Sequence, residues 1–367
     1  MRGSGRFLLA VGAAGSLIGL LACGAATAAT TATMAAAATT ARQARIADFG
    51  NPAGHAYVPP AGRAVTTSHP NRVIGTGTPA SCTSAAVVRA VARGGIITFR
   101  CGPKPVTIVM TQTAKVINTR HRIVLDGGGK VTLSGGGKIE ILYMNTCDQK
   151  QVWTTSHCQD QQWPNLTVQN ITFTRGYSGT HEGNGSQPYG GGAIYAQGGQ
   201  FKAVNTRFIS NGCYKYGPDL GGAAIRALMQ YKNRPVYITS DTFRGGRCSN
   251  GGALSSISVQ WDISNSVFTG NKAVGTGGNP AGSGPGGGSG GAIYLDGEKD
   301  DVSIAGTVFR KNSAREFGGA IFDVVDFYWG TLTLRGCTLS DNPASPIRKF
   351  LAGEMKWALR SVTRRKR

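Results

Sequence analysis

Apolar and polar residues alternate in a segment that recurs six times along the chain. Each copy has the pattern apolar-x-apolar-x-[Asn/Ser/Gly]-x-x-[Phe/Leu], and the copies begin at Leu166, Phe201, Val236, Trp261, Val302 and Leu332. Alternation at a period of two predicts a β-strand with one buried face. The spacing between copies varies from 25 to 41 residues while the register is kept, which predicts coils joined by loops of different length.

A second repeated segment, Gly-Gly-Ala-Ile and its variants, follows each of the first five alternating segments after an intervening loop. It occupies Gly191–Ile194, Gly222–Ile225, Gly251–Leu254, Gly290–Ile293 and Gly318–Ile321. One copy cannot bury its apolar stripe alone, whereas stacked copies form a continuous core. The sequence therefore predicts an all-β parallel solenoid, with a ladder of Ile or Leu and a ladder of Phe as its core. A β-sandwich does not explain the kept register.

Cysteine spacing gives an independent prediction of the same stacking. Cys213 and Cys248 each lie five residues after a repeat Phe. Equivalent positions of adjacent coils lie about 4.8 Å apart, which suits a disulfide. Cys147 and Cys158 are predicted to close an insertion over 143–164, and Cys337 is predicted to stay outside the disulfides. No Cys-x-x-Cys or Cys/His cluster with zinc spacing is present.

The repeat resembles bacterial right-handed parallel β-helix proteins of the pectate-lyase-like superfamily. It is most similar to the subgroup with repeats like those of chlamydial polymorphic outer-membrane proteins. The matching stretches are Cys82–Ala86, Gly94–Phe99, Asp126–Gly129 and the Gly-Gly-Ala-Ile copies. The resemblance implies a right-handed β-helix over about 76–344, a short N-terminal helical cap, and a disulfide between Cys82 and Cys101 that brackets this cap.

The chain ends have other compositions. Residues 1–28 combine Arg2, Arg6, an apolar run and Ala26-Thr27-Ala28, which predicts a signal peptide. Leu20–Cys23 also fits a lipobox, which would leave Cys23 lipidated. Residues 29–75 are rich in Ala, Thr and Pro and are predicted to be a disordered linker. The basic tail 345–367 is predicted to form a capping helix, using Phe350, Leu351, Met355, Trp357 and Leu359. The expected location is extracellular, secreted or lipid-anchored, with no transmembrane span.

The net charge of +21 favours anionic partners. Residues 1–45 carry four Arg and no acid, and residues 347–367 carry eight basic residues and one Glu, so half of the excess lies in the tails. The body stays basic, which also serves solubility. We expect an acidic polysaccharide or cell-wall glycan as partner, no specific nucleic acid, and a monomer.

Catalytic motifs of the resembling enzymes are mostly absent. Of the polygalacturonase motifs only Asp300-Asp301 occurs, within the acidic stretch Asp296, Glu298, Asp300 and Asp301. This disfavours hydrolysis by paired carboxylates. The stretch fits either a solvated turn or a calcium site, and no other cofactor is implied. Pectate lyases abstract a proton with Arg or Lys, and Arg226 is the candidate catalytic base here.

The predicted binding surface is the outward ladder after each Gly-Gly-Ala-Ile segment: Tyr195, Arg226, Ser255, Tyr294 and Phe322. Lys215 and Asp219 are expected to lie beside it. Loops 174–190, 209–221, 244–250, 269–289 and 310–317 are expected to form a groove along one side. Two alternatives are a sugar-stacking platform of Trp153 and Trp163, and the His181-Glu182 pair in a Gly-rich loop.

Three function classes fit these features. The leading hypothesis is a non-catalytic secreted or surface-tethered protein that binds acidic polysaccharide or cell-wall polymer. The alternative is a polysaccharide lyase or related carbohydrate-active enzyme that cleaves a uronic-acid polymer by β-elimination. A structural surface spacer is the third.

Overall fold

The computed structural model describes residues 49–152, 155–179, 190–278, 284–297, 300–326, 330–344 and 357–362. The predicted signal peptide, Cys23 and residues 29–48 lie outside these ranges. In the part of the chain that is described, no helix is long and apolar enough to cross a membrane.

The first strands and one helix precede the repeating coils. The strands are β1 (Arg72–Ile74), β2 (Gly95–Phe99), β3 (Val106–Val109), β4 (Ala114–Lys115), β5 (Arg122–Ser134) and β6 (Leu142–Asn145). Helix α1 spans Ser84–Arg93, begins where the Thr83 side chain accepts a hydrogen bond from the Ala86 amide, and ends at Gly94. Val87 and Val91 of this helix are fully buried in the main apolar core.

The coils continue to the C-terminal region. Their strands are β7 (Asn165–Thr174), β8 (Tyr177–Ser178), β9 (Ile194–Gln197), β10 (Gln200–Val204), β11 (Arg207–Ile209), β12 (Gly212–Cys213), β13 (Ile225–Leu228), β14 (Val236–Thr239), β15 (Thr242–Arg244), β16 (Arg247–Cys248), β17 (Leu254–Ile257), β18 (Trp261–Ser264), β19 (Val267–Thr269), β20 (Lys272–Ala273), β21 (Ile293–Gly297), β22 (Asp300–Ala305), β23 (Val308–Arg310), β24 (Ser313–Ala314), β25 (Ile321–Asp326), β26 (Gly330–Arg335), β27 (Thr338–Ser340) and β28 (Trp357–Val362).

Three sheets are built from these strands, and nearly all of the pairing is parallel. In each sheet a strand pairs with the equivalent strands of the preceding and following coils. The first sheet contains the strands of the alternating segment, the second follows the order β28-β25-β21-β17-β13-β9-β6-β4, and the third follows β24-β20-β16-β12-β8. This stacking is consistent with a β-helix-like solenoid, as the repeat predicts.

Two apolar ladders form the core, as predicted. Ile225 lies in register with Ile194 on one side and Leu254 on the other, and all three side chains are fully buried. The Phe ladder stacks ring on ring, with centroid separations of 5.4, 4.8, 4.6 and 4.8 Å between successive members. Its members are Phe173, Phe208, Phe243, Phe268 and Phe309.

A ladder of buried asparagines fixes the bend between the first and third sheets. The Nδ2 of Asn271 donates to the Phe243 carbonyl oxygen at 3.1 Å and to Asn312 Oδ1 at 2.9 Å. Asn312 bonds to Asn342 in the same manner, at 2.9 Å. Because each amide satisfies backbone groups that the bend leaves unpaired, the bend can be buried without loss of hydrogen bonding.

The structure contains the three disulfides that the sequence predicts. Their Cα–Cα distances are 5.7, 5.0 and 4.7 Å for Cys82–Cys101, Cys147–Cys158 and Cys213–Cys248. Cys337 lies outside these pairs, and its thiol is 3.4 Å from the Ile304 carbonyl oxygen. Three disulfides are compatible with an extracellular protein.

Residues 49–71 form an extended strap across the coils, whereas a disordered linker was predicted up to residue 75. Asn51 Nδ2 donates to the Gly306 carbonyl oxygen at 2.8 Å, and the Ala56 amide donates to Asn265 Oδ1 at 2.8 Å. Farther along, Thr67 Oγ1 donates to Asp126 Oδ2 at 2.7 Å. The strap is held by its backbone and by polar groups of the coils, so its sequence needs no apolar period, and this is why composition suggested disorder.

The C-terminal region also differs from its prediction. Residues 357–362 form strand β28, which pairs antiparallel with β25, rather than a helix. The pairing covers one edge of the second sheet and so satisfies backbone groups that a bare last coil would expose. Residues 345–356 and 363–367, including Phe350, Leu351 and Met355, lie outside the described residues.

Truncation of the Ile/Leu ladder should destabilise the protein strongly. We expect Leu254→Ala to lower the free energy of unfolding by about 2–5 kcal/mol, because it removes buried methyl groups and leaves a cavity between fixed neighbours. Urea unfolding followed by circular dichroism measures this loss. The exposed Lys104→Ala serves as control and should change stability by less than about 0.5 kcal/mol. Equal stability of the two variants would contradict the ladder.

The interior carboxyl of Asp241 should make stability depend on pH. Burial raises the pKa of Asp241 well above its usual value, against the opposing effect of the Thr206 and Thr239 backbone hydrogen bonds. The unfolded chain therefore releases this proton at a lower pH than the folded protein. The stabilisation that comes from the raised pKa of Asp241 is fully present below the ordinary Asp pKa, where the carboxyl is protonated in both the folded and the unfolded protein. It is lost progressively as pH rises towards the raised pKa of the folded protein.

Asp241→Asn should therefore stabilise the protein increasingly as pH rises. The amide keeps an acceptor for the Thr206 amide, which now bonds to Asp241 Oδ1. We expect the difference in unfolding free energy between variant and native protein to grow by up to about 1.4 kcal/mol per pH unit above the ordinary Asp pKa. Urea titrations across the acidic to neutral range give this difference. A difference that stays constant would show that Asp241 ionises normally.

Candidate functional site

The third sheet exposes one side chain per coil. Its strands are two residues long, so one residue points inward and the other outward. The inward positions are buried and include Cys213, Cys248 and Ala273. The outward positions form a column in register from coil to coil: Tyr177, Gly212, Arg247, Lys272 and Ser313.

A column of left-handed bends runs beside this sheet. The residue two positions before each outward residue has a positive φ, between 50° and 67°. Its members are Arg175, Ser210, Gly245, Gly270 and Lys311. The asparagine ladder lies directly beneath, because each ladder Asn follows the bend residue, and it fixes where the bend side chains emerge.

The first three members of each column and the following loops line an open groove of about 740 Å³. The side chains that line it are Arg175, Tyr177, Ser210, Lys215, Tyr216, Arg247, Val274 and Arg315, together with glycines such as Gly212 and Gly245. Four of these side chains are cationic, and none of the lining residues is Asp, Glu or His. The four cationic side chains are exposed to solvent.

The groove has the chemistry of an anion-binding surface. Arg175, Arg247 and Arg315 carry planar guanidinium groups that can bind carboxylate, sulfate or phosphate in a bidentate manner. The Lys215 Nζ lies 4.7 Å from the centre of the Tyr216 ring, and the Tyr214 and Tyr216 rings meet edge to face at 5.9 Å. Aromatic faces beside cations suit a ligand that carries both sugar rings and negative charge.

The outward ladder of the second sheet is buried, whereas it was predicted to be an exposed binding surface. Its positions do alternate with the core ladder, as expected. However, Tyr195, Arg226, Tyr294 and Phe322 are 1%, 2%, 0% and 0% exposed. The side chain of the candidate catalytic Arg226 and these aromatic rings are therefore covered in this structure.

Loops of the chain itself cover the ladder. Arg226 Nη2 donates to the Asp219 carbonyl oxygen at 2.7 Å, and Nη1 donates to Ser255 Oγ. Gly221 lies so close to Ser255 that any side chain there would clash with the Ser255 hydroxyl. Phe317 stacks on Phe322 at 5.6 Å. The glycine-rich loops can therefore lie flat on the sheet, which the sequence pattern of the strands alone does not reveal.

Lys215 and Asp219 have different environments. Lys215 lines the groove, whereas Asp219 uses its backbone carbonyl to hold Arg226. Burial lowers the pKa of Arg226, and this effect is opposed by Tyr195 and Tyr294, which ionise at the high pH where an arginine titrates, and by the carboxylates of Asp296 and Asp219. The guanidinium is thus part of the packing of the loops on the sheet.

The accessible end of the ladder is at the N-terminal coils. Lys115 is exposed, and its Nζ lies 5.3 Å from the centre of the half-buried Tyr143 ring. The Tyr143 hydroxyl accepts a hydrogen bond from Asn145 Nδ2 at 2.9 Å. Burial raises the pKa of the nearby Glu140 carboxyl, and Lys115 partly offsets this. These groups are far fewer than those of the groove and lie outside its lining.

The other candidate sites are only partly within the described residues. The Trp163 and His121 rings are tilted by 31° with their centres 4.3 Å apart, while Trp153 and the His181-Glu182 pair lie outside the described residues. Asp301 accepts a hydrogen bond from Thr331, and Glu298 lies outside the described ranges. Where the structure is described, no group of three or more His, Cys, Asp or Glu side chains could hold a metal ion.

Sequence reasoning missed the bend column and the outward column of the third sheet. A signal was present, since aligning Cys213 with Cys248 also aligns Gly212 with Arg247. The loops predicted to form a groove do supply most of the lining, including Arg175, Ser210 and Arg315. Two-residue strands are too short to show a period, which explains why their outward column was overlooked.

Comparisons with known proteins add no identification. No family model, curated protein or solved structure that was searched matches this chain. The candidate function therefore has to be argued from the groove.

Loss of Arg226 should affect stability first. Arg226→Ala removes the donors to Ser255 and to the Asp219 carbonyl and empties a buried site, so we expect about 1–3 kcal/mol of destabilisation in urea unfolding. Lys215→Ala, at an exposed groove position, is the matched control and should leave stability within about 0.5 kcal/mol. A fully stable Arg226→Ala protein would mean that the loops do not pack on the ladder in solution.

Proposed function

We propose that this protein is a secreted, non-catalytic right-handed parallel β-helix protein that binds acidic polysaccharide through the groove of the third sheet. The observation that carries the proposal is the lining of the groove, with four exposed cations and no acidic residue. Such a surface attracts anions and lacks the carboxylates that would repel them.

The shape of the groove favours a linear polymer over a small ligand. Its cations come from several successive coils, which are stacked at about 4.8 Å. Arg247 and Lys272 are register partners in adjacent strands, so their side chains follow one another along the stacking direction. Tyr177 and Tyr216 add aromatic faces for sugar rings. A polysaccharide with regularly spaced carboxylates can contact several coils at once.

The proposal includes secretion of the protein and a helical cap at the N-terminal end of the coils. Three disulfides support an oxidising location, and the N-terminal sequence supports export. Helix α1 lies next to the first strands, where the resembling family has its cap. Binding without catalysis is favoured because the groove lining offers neither a carboxylate pair nor a histidine for acid–base chemistry.

The test is binding of polygalacturonate by the native protein and by Arg247→Ala. We expect the native protein to bind polygalacturonate but not neutral dextran, with affinity that falls as salt is raised. Arg247→Ala should weaken binding about tenfold, because a charge-assisted hydrogen bond is lost. Lys104→Ala removes an exposed cation outside the groove and should bind like the native protein.

The same assay separates the alternative functions. Unsaturated products, detected by ultraviolet absorbance in the binding mixtures, would identify a polysaccharide lyase instead of a binding protein. Failure of the native protein to bind any acidic polysaccharide would refute the proposal. Equal weakening by Arg247→Ala and Lys104→Ala would show attraction by net charge alone, without a site.

A further inference from the structure

Two cations occupy backbone positions that disfavour them. In the bend column, Arg175 has φ 50° and Lys311 has φ 57°, both in the left-handed region. The equivalent bends of the intervening coils use Gly245 and Gly270 at φ 67° and 66°, and Ser210 at φ 52°. Glycine adopts this conformation without the steric cost that a Cβ brings. A glycine at either cationic position would therefore adopt the observed backbone conformation at a lower steric cost.

These two side chains make few contacts that stabilise the fold. Arg175 Nη2 has one long hydrogen bond, to the Gly136 carbonyl oxygen at 3.5 Å, at an exposed position. The described residues give the Lys311 ammonium no hydrogen bond or ion pair. Residues kept in an unfavourable backbone conformation without a structural benefit are commonly functional. Arg175 lines the anion-binding groove, and Lys311 lies beyond the lining residues, farther along the same bend column and on the coil that supplies Arg315.

Within the bend column, the positions between the two cations are uncharged. Arg175 and Lys311 are four coils apart in the bend column, which is roughly 19 Å at the usual strand spacing. Between them lie the small residues Ser210, Gly245 and Gly270. A Cβ placed on Gly270 would meet no atom within 4 Å, and one on Gly245 would meet only Ser210 Oγ at 3.5 Å. This part of the bend column is therefore low and open.

We propose that Arg175 and Lys311 are the terminal anion sites of the bend column, which begins in the groove and continues past it, and that they select linear polyanions long enough to span four coil steps. The ligand lies along the stacking direction, over Ser210, Gly245 and Gly270, with one acidic group at each end site. The proposal rests on the proposed polysaccharide binding and adds a length requirement to it. An oligomer whose acidic units repeat at about 4.8 Å needs about five units to reach both sites.

The test uses three glycine substitutions at left-handed positions: Arg175→Gly and Lys311→Gly in the bend column, and Lys232→Gly outside it, where φ is 49°. Each replaces a left-handed residue by the one that prefers that conformation, so all three should fold with an unchanged or raised Tm. Affinity is measured by isothermal titration against oligogalacturonates from dimer to octamer. The native protein should show a rise of about tenfold once the oligomer spans both sites.

Removal of either end site should abolish this rise. Arg175→Gly and Lys311→Gly should bind the long oligomers about tenfold more weakly while binding the shortest ones with less change. Lys232→Gly makes the same backbone change and the same loss of charge at an exposed position outside the groove lining, and it should keep the native length profile. Gly270→Lys, which places a cation one coil from Lys311, should shorten the length at which tight binding begins.

The outcomes separate this inference from the proposed function. If the native protein binds acidic polysaccharide but Arg175→Gly and Lys311→Gly keep the native length profile, the end sites are refuted and the binding function stands. An affinity that grows evenly with length, without a step, also refutes them. If no oligomer or polymer binds to the native protein, both proposals fail.

Discussion

Parallel hydrogen bonding between equivalent strands is the constraint on which the rest of this structure depends. Each strand takes its register from the coil before it, so a residue type that repeats in the sequence becomes a column in space. The Phe stack, the Ile/Leu ladder and the Cys213–Cys248 disulfide are all results of that register. The groove is a further result, because its cations are placed by the same pairing that places the core.

Much of the core was predictable from sequence, and much of the surface was not. The positions of Phe208, Phe243, Ile225 and Leu254 follow from a period of two and a kept register, which are local properties of the chain. Arg226 was correctly assigned to the face opposite the core, but that face is covered by loops. Covering depends on how glycine-rich loops fold back, and a strand pattern contains no information about that. The strap over residues 49–71 was missed for a similar reason, because its hydrogen-bond partners on the coils are up to 255 positions away in sequence.

The third sheet can carry the charge of the groove because its strands are short and use few residues for packing. Strands of two residues leave one outward position per coil, and the buried partner of that position is small, as in Ala273 or Cys248. A bend before each strand adds one further exposed side chain. Two rows of side chains are thus available for recognition while the backbone beneath them is fixed by the asparagine ladder. Placing cations in rows that the fold does not use for packing changes binding with little effect on the core.

The strap has a consequence for how the molecule responds to stress. In a solenoid each coil contacts only its neighbours, so coils can open one after another from an end. The strap adds hydrogen bonds between residues separated by up to 255 positions, from Asn51 to Gly306, and it touches coils near both ends of the stack. Opening any of these coils also costs contacts of the strap. The coils should therefore unfold together as one cooperative unit. During folding, the strap can dock fully only after the coil that contains Gly306 has formed, because Asn51 bonds to that coil.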